Sequence, residues 1–141
     1  MITVRPKTFL DFVMELAKAE PTAVGVKTLA DAGDTQHPCG VVITTSQGET
    51  RWQFVGQLPE GERHKDDGGE FQAVEGTPLP VGDAPAPGDD PEKWLAALVT
   101  RAASPQIASI ERWSTREGNR PGHTGMTITF YNTARVFARR I

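Results

Sequence analysis

The sequence predicts an α+β fold: a tandem pseudo-repeat of a helix-then-three-strands unit, with a mainly antiparallel sheet and two helices packed on one face. Three observations predict it: two helical apolar patterns, strand-like runs after each, and similar glycine-bounded loops about 85 residues apart. With 141 residues and 38% hydrophobic content, the chain suits one domain. We expect a first repeat at 1–56, an acidic Pro/Gly-rich connector at 57–91 and a second, basic repeat at 92–141.

Two helices are predicted from apolar residues that recur at helical spacing. The first starts at Thr8 and ends before Pro21, because a residue that precedes proline is pushed out of the helical region. The second has Asp90 as its N-cap and Pro91 in its first turn, and it ends before Pro105. The residues expected to face the core are Phe9, Phe12, Val13 and Leu16 in the first helix, and Leu95, Leu98, Val99 and Ala102 in the second.

Three β-like runs follow each helix. Several of them alternate apolar and polar residues, which is typical of a sheet with one buried and one solvent-exposed face. Short turns between the later runs predict antiparallel hairpins. One unit of about 50 residues is too small to close its own core, so the two units are expected to join their sheets. The predicted strands are 22–29, 41–46, 50–58, 106–113, 126–131 and 134–141.

The connector at 57–91 holds 6 Pro, 6 Gly and 9 acidic residues, and it has too little apolar content to build a core. We expect loop there, with one edge strand at 70–74. The net charge is −1 for residues 1–56, −7 for the connector and +5 for residues 92–141. This asymmetry raises the hypothesis that the acidic connector folds across the basic repeat.

The arginine-rich second repeat supplies the first candidate binding surface. Arg135, Phe137 and Arg139 are expected to share one strand face, which would present guanidinium and aromatic groups together. Such a surface suits a protein partner or a nucleic acid, and the alternative is an ordinary solvated face.

The two loops supply the second candidate surface, since loops at equivalent positions of a repeat are expected to emerge near each other. Trp113 lies beside arginines before the second loop and is a candidate contact residue. The candidate interaction residues are Asp34, His37, Trp113, Arg116, Arg120, His123, Arg135, Phe137 and Arg139.

No catalytic, cofactor or metal site is predicted. Cys39 is the one nucleophile that can be named, but nothing orients it with His37, and we expect it to be a small buried residue. A metal site at His37, Cys39 and His123 would require the two loops to meet, and no zinc-type spacing or phosphate-binding loop occurs in the sequence.

We therefore expect a non-catalytic protein-protein interaction or assembly protein without a cofactor, such as an accessory protein of a phage or mobile element in a high-GC bacterium. The first alternative is a nucleic-acid-binding protein that uses the second repeat. Another is a module that binds a small apolar ligand between the repeats, in a pocket lined by Trp52, Phe54, Trp113 and Phe130. The single cysteine, the lack of a signal-like start and the lack of a long apolar run favour a cytoplasmic protein that does not bind membranes.

Overall fold

The computed structural model describes residues 6–37, 39–59, 74–86, 88–120 and 123–141. Within these residues, helix α1 spans Pro6–Lys18 and helix α2 spans Pro91–Arg101. The six strands are β1 Gly25–Thr28, β2 Gly40–Thr45, β3 Gly48–Gln57, β4 Ile107–Arg112, β5 Gly125–Phe130 and β6 Arg135–Arg140. The α+β class and both helices are confirmed, and each predicted strand overlaps an observed one.

The helices form for the reasons that the sequence predicts. In α2, Asp90 is the N-cap, and its carboxylate accepts a hydrogen bond of 2.9 Å from the Lys93 amide. Helix α1 begins at Pro6, two residues before the predicted start, because proline is well suited to the first turn of a helix. The residues that α1 buries are Phe9, Leu10, Val13 and Ala17.

All six strands belong to one antiparallel sheet with the order β1-β2-β3-β6-β5-β4. The central pair is β3 with β6, and its register places Gln53 opposite Arg139, and Val55 opposite Phe137. In each half of the sheet, the third strand of the unit therefore lies at the centre, the second strand next to it and the first strand at the edge. The order of elements is the one that the repeat hypothesis predicts, and a common origin of the two halves stays a prediction.

The main core lies between the helices and one face of the sheet. Trp52 and Phe54 of β3, Ile128 of β5 and Val136 of β6 point toward α1 and α2, and each is at most 2% exposed. Trp94 of α2 joins this core, and its indole N–H donates to Thr22 Oγ1 at 2.9 Å. Trp52 and Trp94 therefore both belong to the main core.

Of the described connector residues, 58–59, 74–86 and 88–90 lie in neither a helix nor a strand, as predicted, whereas Gln57 ends β3 and Pro91 begins α2. The segment 74–86 lies against the second half of the chain through backbone groups: the Gly76 amide donates to Pro105 O at 2.7 Å, and the Arg101 guanidinium donates to Gly82 O at 3.2 Å. The predicted edge strand at 70–74 lies outside the described residues except for Val74, which is not in a strand.

In the part of the chain that the structure describes, neither helix has the length and apolar character that a membrane span requires.

Candidate binding face of the sheet

The two loops do not converge, and this corrects the prediction that they emerge near each other. Gly40 and Gly125 both align with the central pair Gln53 and Arg139, but the chain before Gly40 runs along β3 toward Gln57, whereas the chain before Gly125 runs the other way. The reason is the antiparallel pairing of β3 with β6, because of which the chains before Gly40 and Gly125 run in opposite directions from the same row of the sheet. The condition that a metal site at His37, Cys39 and His123 would require, a meeting of the two loops, is therefore not met.

Both loops nevertheless fold over the same face of the sheet, the face away from the helices, here called the outer face. The first loop, of which residues 29–37 and 39 are described, buries Leu29 directly over Gly40. It also covers Val42, which points outward from β2 and is still only 1% exposed. Residues 32–36 of this loop and Arg51 of β3 line a shallow pocket, so the loop reaches the border of β3.

The second loop, of which residues 113–120 and 123–124 are described, covers the outer face of β5 in the same way. The Trp113 ring lies over Gly125, and its indole N–H donates to Thr127 Oγ1 at 3.0 Å. The ring of His123 stacks on Trp113 with 4.6 Å between centroids, and the Arg116 guanidinium carbon lies 5.5 Å from the indole centroid. Trp113 is only 7% exposed, so a partner would meet His123 and Arg116 rather than the indole itself.

A buried carboxylate fixes the second loop to helix α2. Glu92 is 1% exposed, and its oxygens accept hydrogen bonds from Arg112 Nε at 2.9 Å, from the Ser114 amide and hydroxyl, and from the Gly125 amide at 3.1 Å. Burial alone would raise the pKa of the Glu92 carboxyl, but these hydrogen bonds outweigh burial and hold its pKa below the ordinary value. The charged carboxylate therefore joins α2, β4 and β5.

Each loop is also organised by an Asx side chain that holds a histidine ring. Asp34 accepts hydrogen bonds from the His37 amide and from His37 Nδ1, the latter at 2.8 Å, and this interaction lowers the pKa of the Asp34 carboxyl. In the second loop, His123 Nδ1 donates to Asn119 Oδ1 at 3.2 Å. These contacts shape the loops. Three of the predicted interaction residues, Asp34, His37 and His123, therefore have a structural role within their own loops.

Between the two loops lies a strip of sheet that the described residues leave at least partly exposed, and we call this strip the trough. Its floor is formed by outward-facing residues of the two central strands, which pair across the strands in three rows. Val55 and Phe137 form the middle row, and Val55 is 45% exposed although it lies near the centre of the sheet. The floor residues are Gln53, Val55, Gln57, Arg135, Phe137 and Arg139.

The trough is basic and has an apolar centre. Arg135 and Arg139 are exposed on either side of Phe137 along β6, which confirms that these three residues share one face. Among the described residues neither arginine takes part in an ion pair, in contrast to Arg51, which pairs with Glu49 at 3.3 Å. No described carboxylate pairs with either guanidinium group, and the five acidic residues at 60–70 of the connector, which were predicted to fold across the basic repeat, lie outside the described residues.

The other two predicted interaction residues, Arg116 and Arg120, belong to the second loop. Arg116 pairs with Glu111 at 3.6 Å in addition to its contact with Trp113, and Arg120 is exposed in the second loop. A pocket of about 390 Å³ opens at the Arg135 end of the floor, where Gln57 and Thr129 also line it.

Sequence reasoning missed three kinds of site residue. Val55 follows the same two-residue alternation as Arg51 and Gln53, so the pattern itself could have assigned it to the outer face. Gly40 and Gly125 are required by Leu29 and Trp113 above them, and nothing in the sequence indicated those contacts. Glu92 follows a typical N-cap and proline and resembles any solvated first-turn acid, so no local signal marked its burial.

The pocket predicted for a small apolar ligand does not form. Trp52, Phe54 and Phe130 lie in the core on the helix side of the sheet, whereas Trp113 lies on the outer face. The sheet therefore separates Trp113 from the other three aromatic residues, and no common pocket can hold all four.

Cys39 lies beside the core, and burial, assisted by the negative charge of Asp11, raises the pKa of its thiol to about 11. The thiol is therefore protonated at neutral pH and is a weak nucleophile. We expect iodoacetamide to modify Cys39 of the folded protein much more slowly at pH 7.5 than it modifies the urea-unfolded chain, as measured by intact mass. Equal rates in the folded and unfolded states would contradict this environment.

Within the described ranges, no group of three or more His, Cys, Asp or Glu side chains is placed to hold a metal ion. Comparison of the chain with protein-family models, with curated proteins and with solved structures finds no match.

Proposed function

We propose that this protein is a non-catalytic interaction or assembly protein that docks an acidic surface of another protein in the trough. One observation carries the proposal: two arginines without ion pairs among the described residues flank the apolar pair of Val55 and Phe137 on the floor of the trough. Arginine and aromatic residues around an apolar centre are the groups that dominate binding energy at protein interfaces.

A protein partner is favoured over a nucleic acid because the trough has few rings for base stacking. Sheet surfaces that bind single strands stack several bases on exposed aromatic residues. Here Phe137 is the aromatic residue of the floor, while the Tyr131 ring packs against Gly76 and its hydroxyl donates to Thr77 O at 2.6 Å. Fluorescence anisotropy with mixed-sequence DNA and RNA at about 50 mM salt is expected to detect no saturable binding.

A symmetric dimer through this face is disfavoured, since Arg135 and Arg139 of two copies would face each other without counter-charges. We also propose a cytoplasmic location, which the single protonated thiol of Cys39 supports. An accessory role for a phage or mobile element of a high-GC bacterium is our hypothesis for the setting, and it rests on composition.

Charge reversal in the trough tests the proposed function. We expect the double variant Arg135→Glu/Arg139→Glu to lose the proteins that co-purify with the wild-type chain from a native lysate, as measured by quantitative mass spectrometry. The matched control is Lys7→Glu/Lys18→Glu, which makes the same change in net charge on exposed positions of α1. Retention of every co-purifying protein by the trough variant, or equal losses in both variants, would exclude the trough as the docking surface.

A further inference from the structure

We infer that the partner element that occupies the trough is an amphipathic α-helix, with two acidic residues eight positions apart and an apolar residue midway between them. This inference rests on the proposed function and specifies the chemistry of the partner. It follows from four observations: the spacing of the floor residues, the width of the trough, the backbone hydrogen bonds that β3 and β6 already make, and the two arginines that form no ion pair with the described residues.

The first step is the spacing along the strand. Arg135 and Arg139 are four residues apart on β6, a distance of about 13 Å at the usual rise of a strand, and Phe137 lies halfway between them. On a helix, positions i, i+4 and i+8 lie on one face and span about 12 Å. An acid, an apolar residue and a second acid at these positions would therefore match arginine, phenylalanine and arginine in turn.

The second step is the width. Gly40 and Gly125 lie in the same row as Gln53 and Arg139, three strand spacings apart, which is about 14 Å. A helix with its side chains is about 10–12 Å wide. Leu29 and Trp113 cover the two glycines and form the walls, so the floor between them is the pair β3 and β6, about 10 Å wide, which one helix can contact along its length.

The third step concerns backbone hydrogen bonds. Strand β3 pairs with β2 and β6, and β6 pairs with β3 and β5, so the two central strands have no free edge for an added strand. An extended segment laid on the floor would bury its own amide and carbonyl groups without partners there, which is costly. A helix satisfies these groups internally, as α1 and α2 do on the opposite face of the same sheet.

The fourth step is charge. Neither Arg135 nor Arg139 has an ion-pair partner in the part of the chain that the structure describes, and the basic half that contains them has a net charge of +5. Two carboxylates on the helix would pair with the guanidinium groups, and Phe137 and Val55 would pack against the apolar residue between them. Binding should therefore weaken as salt is raised.

A designed peptide tests this inference. The probe is an acetylated and amidated helical peptide rich in alanine and glutamine, with glutamates at its fifth and thirteenth positions and a leucine at its ninth. We expect its addition to the ¹⁵N-labelled full chain to produce saturable amide shift changes in β3 and β6, with a Kd in the millimolar range or tighter. A second peptide has prolines beside the leucine, so it keeps the spacing in sequence but cannot form a helix, and it should produce no saturable shifts.

Charge exchange between the two partners supplies the matched control. The variant Arg135→Glu/Arg139→Glu, checked for folding by its amide spectrum, should not bind the glutamate peptide and should bind a peptide with lysines in place of the glutamates. Two results together would support the inference. Only the helical peptide should produce saturable shifts in β3 and β6 of the wild-type chain, and the charge-reversed variant should bind the lysine peptide instead of the glutamate peptide.

The results that would contradict the helix inference differ from those that would contradict the proposed function. Equal shifts with the proline-containing peptide, or no saturable shifts in β3 and β6 with the helical peptide, would overturn the helix inference. If the trough variant still loses the co-purifying proteins, the proposed function stands without the helix. If that variant keeps all of them, the proposed function fails as well.

Discussion

Replacement of Glu92 by glutamine is expected to lower the free energy of unfolding by about 3 kcal/mol, since each buried donor that loses its acceptor costs about 1–3 kcal/mol. Both carboxylate oxygens of Glu92 accept hydrogen bonds from N–H or O–H donors of Arg112, Ser114 and Gly125. An amide would place an NH₂ group against some of these donors. Urea unfolding at pH 7, followed by circular dichroism, measures the change.

The matched control for this substitution is Glu117→Gln, which removes the same charge from an exposed position of the second loop. It should change stability by less than about 0.5 kcal/mol, as surface substitutions usually do. Equal stability of Glu92→Gln and the wild-type chain would show that the carboxylate does not anchor the loop.

The same carboxylate gives the protein a pH-dependent stability. Because the pKa of Glu92 is lowered in the folded state, its contribution is fully present above its ordinary pKa of 4.5 and is lost as pH falls through the lower folded value. The stability gap between the wild-type chain and Glu92→Gln should therefore narrow below about pH 4. A gap that stays constant from pH 7 to pH 3 would contradict the lowered pKa.

Replacement of Gly125 by alanine is expected to destabilise the protein by about 2 kcal/mol or more, within or above the usual range for overpacking. An added Cβ would lie 2.6 Å from the Trp113 ring and against the backbone oxygen of Ala138, so the tryptophan would have to leave its place over β5. The indole N–H resonance of Trp113, which reports its bond to Thr127, should shift strongly.

Gly82→Ala is the control for Gly125→Ala, because no atom lies near the added Cβ and the glycine has an ordinary backbone conformation. Gly40→Ala should resemble Gly125→Ala, since its Cβ would meet Leu29 and the backbone oxygen of Trp52. If Gly125→Ala were as stable as Gly82→Ala, the close packing of the second loop on the sheet would be disproved.

Much of the fold was predictable because local signals and the global architecture agree. The capping residue Asp90, the proline stops and the alternation in β3 and β5 each act within a few residues, so they can be recognised in the sequence. The shared face of Arg135, Phe137 and Arg139 follows from the same alternation.

The placement of the loops was not predictable, because it depends on the direction in which β3 and β6 pair. No local pattern fixes that direction, and the antiparallel choice separates His37 from His123. The trough has the same origin: Val55 becomes a central exposed residue only when the two units join through β3 and β6 and the loops cover β2 and β5.

Photo-cross-linking in cells is the most direct test of the trough as a docking surface. A benzophenone side chain would be placed at Val55 or Phe137 and, as a control, at Val24, which is 72% exposed before the edge strand β1. We predict that the two trough positions give the same discrete protein adduct and that position 24 does not. Adducts that contain nucleic acid, or an identical adduct pattern at all three positions, would contradict an acidic protein partner docked between the loops.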